Sequence, residues 1–548
     1  MRKQNSGFTR RHFMETTLAA TTVTMLPLGS AVAQGKSATW RRWNVMSTKG
    51  RDMMKVMQLA IRMLHDKKAA DPLNMYRQAM THTMDCPHGN WWFLPWHRGY
   101  MGYFEQICRE VTGVKEFAIP YWDWSAVQQV PEIMYLPWLT PMTPGFIPTF
   151  DKFYDTFAKQ LDIMYHKEFS GDQLAQLKVR NYTTPEDMWK DIKEPPNGPM
   201  FFDIGRARGL KSDAPKLDEF TALSASRTQI ILSLSPADFI TFGSPKAAHH
   251  SDMAGFGPLE MFPHNKIHNC VGGIVYDISG QKIKDNGGFM QANLSPTDPI
   301  FFLHHSNMDR LWDVWTRKQI AYGKPTTPTG TDKDAWEAEP FLFFADAGGT
   351  IKPRYAREFV DIGKFDYDYE PGTGEEVVPK APVAVAANEA PVSTQGRVTS
   401  SMLGGMAPAS AKFALTSATP SEAPLFAKVV IDIPPGGFSS TYKILLNAPA
   451  DTANIGPGNP HFVEMISFFG HDMMSGQISV VVPLRGKQAA GARALMAAGK
   501  EQTLSVVQEG VASVGSNRKL KGGNAMATQG GNGVGNGARL VSVDIVSQ

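Results

Sequence analysis

Residues 82–98, His82-Thr-Met-Asp-Cys86-Pro-His88-Gly-Asn-Trp-Trp-Phe-Leu-Pro-Trp-His97-Arg98, hold three histidines inside one aromatic-walled segment. Hydrophobic packing has no use for three imidazoles, whereas imidazole nitrogen is a good ligand for copper, zinc, iron and nickel. A second cluster lies far downstream, at His264, His268 and the pair His304-His305. Folding that joins the two clusters makes a site for a pair of metal ions.

Spacing narrows the choice of metal. His264 and His268 stand four apart, so on a helix both rings leave one face. Zinc proteases pair histidines this way but place a Glu beside the first, where this chain has Asn265. No carboxylate-rich set accompanies the histidines, which argues against non-haem iron. All-imidazole ligation of two ions favours two copper ions, which cycle between Cu(I) and Cu(II), with O2 as co-substrate. A structural zinc protein is the alternative, and metal analysis separates the two.

Periodicity places these residues on helices. Met54, Met57, Ile61 and Leu64 in residues 51–66 recur at helical spacing, as do Met101, Phe104 and Cys108 in 97–110 and Leu311, Trp312 and Trp315 in 304–320. Beyond about residue 370 the composition shifts. Residues 371–400 are rich in Pro, Ala, Gly and Val without periodicity and are expected to be a linker. Short strand-like runs at 412–416, 427–433, 442–446 and 477–482 predict a small β-sandwich over 401–485. Residues 486–548 form a C-terminal extension, with an Ala-rich helical start and a Gly/Asn-rich stretch.

The stretches HGNWWFLPWHRGYMGYFE (88–105), PYWDW (120–124), PHNKIH (263–268) and DPIFFLHHSNMDRLW (298–312) resemble the tyrosinase family of type 3 copper proteins. That family includes catechol oxidases and the related molluscan oxygen carriers. The likeness covers about residues 40–370. It implies a mainly α fold, a four-helix-bundle dinuclear copper domain over residues 34–370, followed here by the β-sandwich. Carried over by position, His82, His88 and His97 become ligands of the first copper. His264, His268 and His305 become ligands of the second. His65 is the alternative first ligand, since a gap of 23 residues to His88 also occurs in the family. His304, Arg98 and Asp309 would stand just outside, orienting ligands and pinning helices. Cys86 falls where fungal and molluscan relatives link a cysteine to the ligand histidine by a thioether, here Cys86 to His88.

The resemblance also implies a reaction: ortho-hydroxylation of monophenols and oxidation of o-diphenols to o-quinones. A phenol of pKa near ~10 must lose its proton, which requires a positioned base. Glu260 and Asn265 match the family's pair that holds a water for this purpose. The family's gate residue over the second copper, thirteen positions before the last ligand, falls on Ala292, with Met290 or Asn293 nearest if the loop slips. Catechol-only and o-aminophenol oxidases share all six ligands and remain alternatives, as does a non-enzymatic oxygen-binding protein. More faintly, the C-terminal unit resembles the shielding domain of longer relatives. Phe468 or Phe469 would then plug the site, and proteolysis within 371–400 should raise catechol oxidation.

The ends and the overall composition complete the expectation. Residues 1–33 carry Arg10-Arg11, an apolar Thr-rich run and a small-residue Ala31-Val-Ala33 site, and look like a bacterial twin-arginine export signal. The expected destination is the periplasm or the extracellular space. The 548 residues exceed one ordinary core, and 42% apolar with 20% charged residues is a soluble globular balance. Four cations and one carboxylate leave with residues 1–33, so the formal +3 falls to zero. Net charge therefore supports neither nucleic acid nor a membrane surface as partner, and no stable membrane association is expected after cleavage. Three cysteines cannot build a disulfide framework. Small phenols are the expected partners; a homo-oligomer and a copper-loading chaperone are both compatible with the sequence.

Overall fold

The expected amphipathic run forms helix α1 (Thr48–His65), whose Met54, Met57, Ile61 and Leu64 are buried on one face. The Ser47 side chain caps it by accepting the Gly50 N–H. The computed structural model describes residues 38–548 except 195–197, 202–203, 281, 384–391, 404–407, 416–423, 435–440, 453, 469–475, 498–499, 510–536 and 548. The expected export signal and Phe469 lie outside the described residues.

Four further helices carry the histidines: α2 (Met75–Asp85), α3 (Phe93–Thr112), α4 (Asn265–Gly272) and α5 (Ile300–Ala321). Pro95 lies in the first turn of α3, where its missing N–H has no carbonyl to serve. Gly113 at φ 70 ends that helix in the left-handed conformation that favours glycine. Helix α5 is buried from Ile300 to Thr316, and Phe302 stacks on Phe104 of α3 at 3.7 Å. No described helix is long and apolar enough to cross a membrane.

A buried charge network ties α3 and α5 to the ends of the helical domain. The Asp309 carboxylate accepts from Arg98 Nε (2.6 Å), Arg42 Nη1 (3.0 Å), Tyr369 (2.6 Å) and Tyr367. Arg42 also holds Glu105 of α3 at 2.9 Å, and Arg98 lies over the Trp312 ring at 3.6 Å. Arg42 belongs to the strand Trp40–Arg42, which pairs in parallel with Tyr367–Tyr369. Arg98 and Asp309 therefore pin helices. The ligand rings take their orientation from other groups, described below.

Two five-stranded sheets make the C-terminal sandwich. Their strands are β1 (Gly255–Phe256), β2 (Val392–Gln395), β3 (Arg397–Ser400), β4 (Ala409–Phe413), β5 (Leu425–Ile433), β6 (Thr441–Leu446), β7 (Phe462–Ile466), β8 (Gly476–Pro483), β9 (Gln502–Glu509) and β10 (Arg539–Ser547). One sheet runs β7-β6-β9-β4-β3 and the other β1-β8-β5-β10-β2. Burial alternates along β5 and β10, the pattern of strands with one face in a core.

The sandwich thus runs from Val392 to Ser547, drawing β2 and β3 from the expected linker and β9 and β10 from the expected extension. Each adds hydrogen-bonded partners to strands that would otherwise be sheet edges. The start of the expected linker also has a place: Glu375 pairs with Arg317 of α5 at 2.9 and 3.0 Å, and the Thr373 carbonyl accepts from Arg310. The Ala-rich run is a helix, Gly486–Ala497. Strand β1 comes from the helical domain and pairs in parallel with β8. Phe256, Met261 and Phe262, all from the helical domain, are buried in the same apolar cluster as the sandwich core.

Candidate metal centre

Six histidine rings converge from the four helices, one loop and one π turn. His82 stands on α2, His97 on α3, His268 on α4 and His305 on α5, while His88 lies on the 86–92 loop. His264 ends a wide π turn, Glu260–His264, in which the Asn265 N–H bonds the Glu260 carbonyl five residues back. Pro263, with no N–H to give, sits inside that turn. Such turns recur at functional sites because they re-aim side chains.

The rings form two facing groups. His82, Cys86, His88 and His97 hold their ligand atoms within 4.8 Å of one another, and so do His264, His268, His304 and His305. Across the two groups His97 stacks on His305 with centroids 4.1 Å apart, and His88 lies 5.9 Å from His264. Phe93 wedges against His97 and His264, and Phe301 against His82 and His305. His65 is elsewhere, packed among Tyr76, Trp138 and Phe146.

Hydrogen bonds fix the tautomers. Nδ1 of His82 faces the Asn293 carbonyl at 2.7 Å, that of His97 the Phe93 carbonyl at 2.8 Å, and that of His268 the Met290 carbonyl at 2.6 Å. Nδ1 of His264 faces Asn265 Oδ1 at 2.8 Å. Each of these acceptors draws the single proton of a neutral ring to Nδ1 and leaves Nε2 as the ligand atom. Burial keeps the rings neutral, pushing His97 and His268 down to about 3 and His82, His264 and His305 well below the ordinary histidine value. Neutral imidazole is the form that binds a metal.

The same reasoning separates His305 from His304. The Trp124 indole N–H donates to His304 Nδ1 at 3.1 Å, so the proton of that neutral ring resides on Nε2 and blocks ligation there. His305 Nε2 lies 3.1 Å from His268 Nε2, a separation suited to two nitrogens each about 2 Å from one ion. The buried Nε2 of His82 has no hydrogen-bond partner among the described residues, which also fits a ligand atom. The donor set fits two copper ions, three imidazoles to each.

Around the rings, Glu260 is wholly buried. Its Oε1 accepts from the Gly89 N–H at 2.7 Å and its Oε2 from the Ser244 hydroxyl at 2.6 Å. Burial pushes this carboxyl up to about 8, and the two donors hold it lower than burial alone would. The Asn265 Nδ2 is buried without a partner among the described residues. Cys86 Sγ lies 3.8 and 3.7 Å from the two ring nitrogens of His88, and 3.4 Å from His97 Nε2.

Ala292 is fully buried between the two carbonyls that orient His268 and His82, and shares an apolar cluster with Phe289, Leu294 and Phe343. The loop expected as a gate thus orients one ring of each histidine group. Phe468, offered as a plug, turns its ring into the sandwich core, 5.8 Å from Phe256 and 6.1 Å from Tyr442. Its carbonyl accepts from Asn269, next to His268, at 3.2 Å. Sequence reasoning missed Ser244, Trp124 and the Met290 and Asn293 carbonyls. Backbone carbonyls leave no residue-type signal, and only the Trp in PYWDW stood inside a recognised motif.

Comparison with known proteins agrees with this geometry. Residues 60–318 match the model of the common central domain of tyrosinase. Polyphenol oxidase II, chloroplastic, of Ipomoea batatas is 25% identical over 327 residues, which are 57% of this chain and 46% of that protein. Catechol oxidase B, chloroplastic, of Solanum tuberosum is 27% identical over 319 residues, 56% of this chain and 44% of that protein. The chain therefore spans less than half the length of these relatives. The solved structure of latent apple tyrosinase superposes with a TM-score of 0.54 at 17% identity, covering 94% of this chain and 98% of that one. That likeness shows the shared fold, a helical domain followed by a β-sheet domain. Two converging sets of buried, neutral imidazoles and the match over 60–318 together make the helical domain a tyrosinase central domain.

Proposed function

We propose that this protein oxidises small phenols with O2, hydroxylating monophenols at the ortho position and converting o-diphenols to o-quinones. The bound copper pair would supply electron transfer to O2 and delivery of oxygen to the ring. His82, His88 and His97 would hold one ion and His264, His268 and His305 the other. The observation that carries the monophenol half is the Glu260 carboxyl. It is buried beside Gly89, the neighbour of His88, and precedes His264 by one turn. Asn265 supports the same reading, because its buried Nδ2 needs an acceptor that a water shared with Glu260 would provide. A base raised toward neutrality is suited to taking a phenol proton. Copper analysis with oxygen uptake on tyrosine, catechol and simple phenols tests the proposal. Two coppers per chain with uptake on both substrate classes are expected; uptake on catechol alone would reduce it to a catechol oxidase.

A thioether between Cys86 and His88 belongs to the same proposal, since it would fix the ring of a ligand on a loop rather than a helix. Intact mass of the denatured chain is expected to be two hydrogens light, with Cys86 resistant to alkylation. Full mass with an alkylatable Cys86 would rule the bond out. Export by the twin-arginine route, to the periplasm or beyond, also stands as a proposal resting on Arg10-Arg11 and the apolar run after them. A precursor that stays uncut when expressed with that pathway would remove it.

A further inference from the structure

A third group of ionisable side chains lies behind the first copper ligands and takes no part in the chemistry above. His250 is fully buried. Its Nε2 lies 3.1 Å from Asp85 Oδ1 and its Nδ1 lies 2.6 Å from Glu339 Oε1. A neutral imidazole donates from one nitrogen only, so a carboxylate on each side of the ring favours the doubly protonated form. The two carboxylates hold it above the ordinary histidine value against the opposing effect of burial.

The contacts of this residue, through its ring and its backbone carbonyl, reach three pieces of the first site. Asp85 ends α2, one turn after His82 and beside Cys86, and its other oxygen accepts the Trp96 indole N–H at 2.9 Å, next to His97. The His250 carbonyl accepts from Asn90 at 2.9 Å, and Asn90 in turn accepts the Trp92 N–H, closing the loop that carries His88. Gln176 packs its amide against the same ring nitrogen and Asp85, and His249 stacks on the ring at 4.7 Å. Arg180, bonded to the Cys86 carbonyl at 2.9 Å, is the nearby cation and opposes protonation of His250.

We propose that His250 is a positioning residue for the first copper: paired with Asp85 and Glu339, it locks the end of α2 and the 88–92 loop so that His82, His88 and His97 converge. A metal site of its own at His249, His250 and Glu339 is the competing reading. The two rings are stacked at 24°, so their lone pairs run side by side instead of converging on one ion. Both also point to Glu339 Oε1.

The test uses the full-length, copper-loaded chain and its His250→Gln and His250→Gln/Glu339→Gln variants under a chelator, with copper content, Cu(II) EPR and melting of the metal-free chain as readouts. It rests on the copper pair, which two firmly held coppers in the wild type check separately. H250Q leaves two buried carboxylates without their cation, and is expected to release one copper about 10- to 100-fold faster than the other. That would leave a lone EPR-visible Cu(II). The double variant removes one of the excess carboxylates and is expected to regain copper retention. Three results would overturn the proposal: both coppers held by H250Q as in the wild type; a third copper in the wild type that H250Q loses; or equal loss of both coppers, tracking melting, without recovery in the double variant.

Discussion

Glu260→Gln is expected to lower kcat for monophenol hydroxylation by about 10²- to 10⁴-fold, the range of a lost general base, and to leave catechol oxidation much closer to wild type. The amide keeps the shape: its oxygen can still accept from the Gly89 N–H, and its NH2 can donate to the Ser244 hydroxyl oxygen, so the π turn and His264 should stay in place. What it cannot do is take a proton. A monophenol arrives protonated and its hydroxyl must be ionised before the ring can react, whereas a catechol delivers its protons along with its electrons. The pH dependence follows the same logic. Burial raises this carboxyl to about 8, so the base form and the monophenol rate should rise with pH toward that value. Two nearby cations favour the carboxylate, so the acid limb of the loaded enzyme should fall below it. For stability the sign is opposite. A carboxyl raised above its unfolded value binds its proton more tightly when folded. Its contribution is present at low pH and is lost as pH rises from the unfolded value through the folded one. Parallel rates on tyrosine and catechol, measured across pH for wild type and variant, check all of this. Equal losses on the two substrates would reduce Glu260 to a structural carboxylate.

How much of this could be read beforehand differs between the two halves. The histidines and their helices were legible because long amphipathic runs carry their own period, and because a ligand set is a coincidence of residue types. His82 separated from His65 only in three dimensions, where His65 proves to be one ring in an aromatic nest. His305 separated from His304 through one indole N–H, which no spacing rule encodes. The sandwich was legible only in part. Strand β7, absent from the expected runs, buries Glu464, held by Arg485. Charges at inward positions erase the alternation that identifies a strand. Strand β1 is two residues long and pairs with a strand over two hundred residues away; nothing local marks it. His250 stood in the sequence beside His249 but outside every recognised motif, and only its two carboxylates give it a role.

Cutting the chain between the helical domain and the sandwich should leave the two pieces together, and Phe256→Ala should destabilise both. The sequence suggested a cap that proteolysis would lift, with faster catechol oxidation as the result. The contacts argue for something closer to a shared core. Strand β1 is an edge of the sandwich sheet, and the Ser479 N–H of β8 donates to the Ala254 carbonyl at 3.0 Å. Ala254 and Gly255 in turn donate to the Gly89 carbonyl at 2.8 and 2.9 Å, and Gly89 holds Glu260. A side chain on Gly255 would meet the Ser479 carbonyl oxygen at 1.8 Å, so the two backbones are as close as glycine permits. Two residues after His264, Lys266 of α4 reaches the Ser467 hydroxyl at 2.6 Å as a buried amine, lowered to about 8 by that burial. Phe256, Met261 and Phe262 complete the sandwich core from the helical side. Emptying the Phe256 site should cost about 3–5 kcal/mol, read as a shift in the urea midpoint of the sandwich. Because Phe256 also meets Gly89, where an added Cβ would lie 3.1 Å from its ring, the same change should loosen the Glu260 anchor and lower monophenol turnover. A protease nick within 371–400 should cut the chain on a denaturing gel while the fragments co-elute under native conditions at unchanged copper content. Fragments that separate freely, leaving a more active helical domain, would restore the removable cap.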